Sequence, residues 1–187
     1  MPSLGGMASL TQTNKLACSL FYSSKNSSMN KDTLKNISIF IGCFILCQAA
    51  GAVGMIATIP NIPTWYASLN KPSFQPPNWL FGPAWGILYT LMAISLYLVI
   101  KSSHPRRNQA IAVFIFQLIL NAAWSFLFFE YHLLLASLIE ILVMLVSLIY
   151  YCIVVSPISR AAMYCFIPYI AWVSFATLLN ASVWHLN

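Results

Sequence analysis

Three polar residues, Gln117, Asn121 and Ser125, recur at four-residue intervals through an apolar run, with Trp124 on the adjacent flank. That interval puts them on one helical face. Amides and a hydroxyl offer donors and acceptors there, without a base beside them to make a nucleophile. Two uses fit: bonds that hold membrane helices together, typically about 0.6 kcal/mol each, or the polar lining of a ligand cavity. The two are compatible, and both stay open. A second stripe, Ser137, Glu140, Met144, Ser147 and Tyr151, places a carboxylate inside an apolar run. An ionised carboxylate at a bilayer centre costs at least ~3 kcal/mol, so Glu140 is expected to be neutral, paired or near the outer end. Packing is the favoured role over proton relay. Tyr169, Trp172, Ala176 and Asn180 make a third stripe, and Gln48, Gly51, Ala52 and Met55 a fourth.

Several chemistries are excluded by what is missing. The acids are Asp32, Glu130 and Glu140, so no carboxylate pair exists for acid–base work. His104, His132 and His185 fall in loops or at the terminus, and the five cysteines show no CxxC or ligand spacing. No metal or other cofactor is expected. Cys43 and Cys47, one turn apart, read as small packing residues. A Gly-rich phosphate loop is absent, which argues against hydrolytic or phosphoryl-transfer catalysis. An aromatic-rich pocket with a few hydrogen-bonding groups is left, suited to a large, flat, apolar ligand.

The elements that must position these residues are membrane helices. The 187 residues are 60% hydrophobic and 6% charged, with mean hydropathy +0.78, far from the ~25% charged residues of soluble domains. Five apolar segments, at about 37–59, 81–100, 110–129, 133–155 and 161–183, each hold roughly the 20 residues needed to cross ~30 Å of hydrocarbon. Backbone groups in lipid must be satisfied internally, so each is a helix. The expected fold is an all-α integral membrane protein, a five-helix bundle over residues 36–187. Pro168 is expected to kink the fifth helix just before it.

The net charge of +6 comes from cations at the ends of apolar runs, which orient helices, so no nucleic-acid partner is expected. Lys31, Lys35, Lys101, Arg106, Arg107 and Arg160 fall on one side and Lys71 alone on the other. The positive-inside rule puts the N-terminus in the cytoplasm and the long first loop on the outer side. Residues 1–35, rich in Ser, Asn and Thr, are expected to be a disordered polar arm, with Met29 as an alternative start. They make a poor transit peptide, which favours a bacterial inner membrane, or the mitochondrial outer membrane in a eukaryote.

The first loop runs into the second helix as WYASLNKPSFQPPNWLFGPAWGILY, Trp65 to Tyr89. Pro72, Pro76, Pro77 and Pro83 fix φ and push each preceding residue to extended conformations. The loop is thus expected to be neither helix nor strand, yet cheap to order. On composition it is either one wall of a binding site or a passive connector with aromatics at the headgroups.

Beyond composition, the residues resemble the translocator protein family, also called the tryptophan-rich sensory or peripheral benzodiazepine receptor family. The matching pieces are Trp65-Tyr66, Leu69, Lys71-Pro72, Pro76-Pro77, Phe81-Gly82-Pro83, Trp85 and Leu88-Tyr89. Gln117-Leu118, Asn121, Trp124-Ser125 and Phe128-Phe129 continue the series. Pro168-Tyr169, Trp172, Phe175-Ala176, Leu179-Asn180 and Trp184 complete it. The resemblance runs from about Gly42 to Asn187. It implies a commonly dimeric five-helix bundle, with a cavity opening near the first loop that takes porphyrins, sterols or isoquinoline- and benzodiazepine-type drugs. Carried over by position, Tyr66, Pro76, Trp85, Asn121, Trp124, Trp172 and Ala176 are the implied ligand-facing set. The resemblance also implies an alternative activity, light-dependent protoporphyrin breakdown with Trp85 and Trp172 flanking the ring. It weakens for sterols: no Tyr or basic residue follows Trp172, and the loose sterol pattern at Leu91, Tyr97 and Lys101 is hypothesis-grade.

Overall fold

The structure, a computed structural model, describes the backbone of residues 5–187 and the side chains of residues 31–187. It divides into two compact units, Met1–Ile39 and Phe40–Asn187. The arm expected over residues 1–35 and the start considered at Met29 fall outside the described residues for 1–4, and outside the described side chains through residue 30. The described part, 31–35, is exposed.

Helix α1 is Gly5–Asn61, α2 Trp65–Ser68, α3 Phe81–Lys101, α4 Arg107–Ser125, α5 Leu134–Val155, α6 Arg160–Tyr164 and α7 Ile167–Leu186. Among the described residues, five stretches are long and apolar enough to cross a membrane: Lys31–Asn61, Asn78–Lys101, Arg107–Glu130, Leu134–Val155 and Arg160–Leu186. The all-α five-helix architecture expected from the apolar runs is therefore found. Within the second unit α4 packs on α5, α5 on α7, and α3 on α4 and α6.

Three local departures refine the expectation. The first loop is not wholly irregular: α2 is a single turn, and Asn78–Leu80 is a 3-10 turn leading directly into α3. Lys71 Nζ explains why one isolated turn persists. It donates to the Ala67 and Leu69 carbonyls at 3.2 and 3.1 Å, capping the free end of α2. The second departure is that α4 widens into a π turn over Phe126–Glu130. The third is that the fifth span is two helices. Its break lies at Cys165–Phe166, just ahead of Pro168, which lacks the N–H to continue the ladder. At the break the Phe166 N–H turns back to Met163 O, three residues away. The Ser95 hydroxyl instead donates to Ala162 O at 2.9 Å, replacing the lost backbone donor. Having spent its one hydrogen there, Ser95 accepts from the Tyr151 hydroxyl at 2.9 Å.

The core on this side is aromatic. Phe114, Tyr151, Phe166 and Tyr169 are buried, with Tyr151 and Phe166 ring centroids 4.2 Å apart. Lipid tails are as apolar as side chains, so such packing and interhelical hydrogen bonds, rather than hydrophobic expulsion, hold the bundle together.

Candidate ligand cavity

A cavity of about 500 Å³ lies among α1, α3, α4, α5, α7 and the first loop. Tyr66, Trp85, Asn121, Trp124, Trp172 and Ala176 all line it, so six of the seven implied residues are brought together. Pro76 does not line it; its neighbour Gln75 does. A turn closed by the Gln75 N–H on Pro72 O, at 3.1 Å, precedes Pro76. The fourth stripe, Gln48, Gly51, Ala52 and Met55, also reaches the cavity.

The polar stripe of α4 splits. Asn121 and Ser125 line the cavity, whereas Gln117 is fully buried away from it, with its amide N–H against Met92 Sδ at 3.9 Å. Asn121 is a hub rather than a free ligand group. Its Oδ1 accepts from the Tyr89 hydroxyl, and its Nδ2 donates to the Tyr169 oxygen at 2.8 Å. Tyr169 in turn donates to Met144 Sδ at 3.6 Å. One relay thus ties α3, α4, α7 and α5 beneath the cavity. Neither tyrosine was assigned this role from sequence, since both read equally well as aromatic filling.

The tryptophans differ in what they present. Trp124 Nε1 donates to Asn180 Oδ1 at 3.0 Å, and Asn180 Nδ2 donates to Leu134 O at 3.1 Å. Trp124 also stacks on Phe128 at 5.0 Å, so only its ring surface is spare. Trp172 Nε1 is buried with no hydrogen-bond partner among the described residues, as is Gln75 Oε1. A buried donor without a partner is costly unless something occupies it. Trp85 is stacked on Tyr89 at 5.5 Å and edge-on to Trp172 at 6.5 Å.

The π turn supplies the outer wall. Adjacent residues normally diverge by about 100° around a helix, but here Phe128 and Phe129 are both buried and both line the cavity. They pack with Trp65, Tyr66, Leu69 and Val183, which seats α2 on the bundle. Trp65 stacks on His132 at 4.1 Å, and His132 takes the left-handed φ of 57° that ends the turn. Burial pushes the Tyr66 hydroxyl above its ordinary pKa, and Lys71 Nζ lies 5.0 Å from its ring centroid. The loop is also tied to the C-terminus. Asn70 N–H donates to Asn187 Oδ1 at 2.9 Å, and Asn187 Nδ2 returns to Asn70 O at 3.0 Å. Phe74 meets Phe175 of α7 at 6.4 Å.

Glu140 lies off this site. Both its carboxylate oxygens are buried without a partner, so the ion-pair option is not taken. The sterol-type pattern also lies elsewhere: Tyr97 packs edge-on against Phe40 at 5.8 Å, and neither Leu91, Tyr97 nor Lys101 lines the cavity.

Fold and cavity together define a class, the multi-pass integral membrane protein with an aromatic chamber inside its helix bundle. Residues 43–185 match the TspO/MBR family, to which the chain belongs. It is similar to the tryptophan-rich protein TspO of Archaeoglobus fulgidus, 37% identical over 152 residues, covering 81% of this chain and 99% of that protein. Protein CrtK of Rhodobacter capsulatus is 36% identical over 156 residues, 81% of this chain and 94% of its own. The human translocator protein is 34% identical over 155 residues, 79% of this chain and 84% of its own.

Proposed function

We propose that the chain is a membrane receptor, transporter or sensor that takes a porphyrin, or a related flat hydrophobic molecule, into this cavity. The observation that carries the reading is the joint placement of Trp85 and Trp172 in the cavity lining, their rings edge-on at 6.5 Å. A chamber of about 500 Å³ falls in the ~300–1,000 Å³ range of small-molecule sites, which are apolar with a few placed polar groups. Ring faces supply contact area at low entropic cost. Membership of a family that includes a protein named translocator supports transport or sensing as the class of role. The charge asymmetry supports a cytoplasmic N-terminus with the cavity mouth outside.

The test is protoporphyrin titration of purified protein, read by tryptophan fluorescence quenching. Trp85→Ala with Trp172→Ala is expected to weaken binding roughly tenfold or more, since each ring contributes about 1 kcal/mol beyond area. Equal quenching by the double variant would overturn the site. The same tryptophans serve the alternative, a light-driven porphyrin-degrading activity. Illumination with loss of the Soret band in wild type, but not in the double variant, would establish it; equal decay in both would remove it.

A further inference from the structure

We propose that Gly82 and Gly86 of α3 hold open a lateral slot between α1 and α3, through which flat ligands pass edge-on between the cavity and the bilayer. The inference rests on the cavity being the ligand site and concerns how that site is reached. Helices α1 and α3 meet at two levels. Phe40 packs on Tyr97 near the inner end, and Gly51 lies against the Tyr89 ring midway. Met55 and Ile59 of α1 line the cavity and yet are 52% and 61% exposed. Gly82 and Gly86 of α3 also line the cavity, and a Cβ built on either would meet nothing within 4 Å. Gly86, alone among them, also borders a second, shallower recess on the outer face of α3, with Ile87 and Thr90. The same short stretch of α3 therefore faces both the chamber and the surroundings.

The glycines are otherwise hard to account for. Glycine weakens a helix interior relative to alanine and is tolerated where another backbone or ring comes close, as at Gly51. No such neighbour exists at Gly82 or Gly86. Their missing side chains leave a gap lined by apolar groups, which in a bilayer opens onto acyl chains rather than water. A thin aromatic sheet already dissolved in the membrane fits that gap better than a bulky three-dimensional molecule. The rival use is helix association through Gly82-x-x-x-Gly86, since small residues four apart let backbones touch.

The test is the rate at which protoporphyrin IX, dissolved in phosphatidylcholine vesicles holding the purified protein, quenches tryptophan fluorescence after mixing. Gly86→Leu and Gly82→Leu are expected to slow both loading and release by about tenfold. The double variant Gly82→Ala with Gly86→Ala clashes with nothing and favours the helix, so it folds. It is expected to slow loading about threefold by narrowing the gap. Wild-type loading rates in the alanine double variant would overturn the slot even if the leucine variants fail to fold. Loss of dimer on crosslinking, with unchanged loading, would overturn it in favour of helix association. Absence of quenching in wild type would instead remove the cavity reading beneath it.

Discussion

Tyr89 donates its hydroxyl hydrogen to Asn121 Oδ1, joining α3 to α4 directly beneath the cavity. The amide passes the interaction on to Tyr169, so one side chain satisfies two helices. Removing it leaves two buried hydroxyls with fewer partners. With membrane hydrogen bonds at about 0.6 kcal/mol each and some desolvation cost added, Asn121→Leu should destabilise the fold by about 1–2 kcal/mol. Thermal melting of the detergent-solubilised protein would show it. An unchanged midpoint would mean that the relay contributes nothing to stability.

The relay also makes Gly51 irreplaceable. Any Cβ there collides with the Tyr89 ring, and that ring is held by its hydroxyl at one end and its backbone at the other. Gly51→Ala should therefore cost about 1–3 kcal/mol, the usual range for overpacking. At Gly54 the clash is with the Ser125 hydroxyl, a movable tip, at 2.8 Å. Gly42 has nothing within 4 Å, so Gly42→Ala should gain up to about 1 kcal/mol from helix propensity. The expected order of melting points is Gly42→Ala above Gly54→Ala above Gly51→Ala. Adding Tyr89→Phe, which frees the ring to shift, should recover part of the Gly51→Ala loss; strict additivity would refute the coupling.

The spans were legible because a bilayer demands about 20 apolar residues in a row, and the runs ending at Lys101, Val155 and Asn61 supply them. Pro168 marked where the fifth span would be interrupted, but not how the interruption is repaired. The interruption at Cys165–Phe166 depends on Ser95, some 67 residues away, offering its hydroxyl to Ala162 O. The π turn at Phe126 likewise left no composition signal. Within the site, four-residue spacing found the shared face of Asn121 and Ser125 but carried Gln117 along with them. The face is common to all three, while the cavity ends above Gln117. Pro76 was implied by position in the resemblance, and the turn ahead of it instead brings Gln75 to the wall. Tyr89 and Tyr169 stayed hidden because what matters in them is the direction of a hydroxyl, which sequence does not encode locally.

Trp172 separates two contributions that Trp85 and Trp124 cannot. Its Nε1 is buried without a partner, so Trp172→Phe removes an unsatisfied donor while keeping an aromatic ring in the wall. Stability without ligand should change by less than about 1 kcal/mol, because the relieved N–H offsets the smaller ring. If the Trp172 ring turns on loading so that this N–H reaches the ligand, affinity for a carbonyl- or carboxylate-bearing planar ligand should fall roughly five- to tenfold, the worth of one hydrogen bond. An apolar planar ligand without an acceptor should bind both proteins alike. Equal losses for the two ligands would show that Trp172 contributes only its ring.

The first loop closes on the cavity through a clasp with the C-terminus. Asn70 and Asn187 exchange two hydrogen bonds, N–H to Oδ1 at 2.9 Å and Nδ2 to O at 3.0 Å, across 117 residues of sequence. Asn187 Nδ2 also donates to Val183 O at 2.8 Å, so the clasp is anchored on α7. Both residues are exposed, where such bonds contribute only about 1 kcal/mol each. Asn187→Ala should therefore leave the melting point of the bundle nearly unchanged while loosening the loop. If the loop caps the ligand, protoporphyrin should leave about five- to tenfold faster from Asn187→Ala, with loading less affected, as expected when a change acts on the bound state. Stopped-flow displacement by excess competing porphyrin measures this directly. A release rate equal to wild type would show that the loop is a fixed wall and that the clasp does not gate the site.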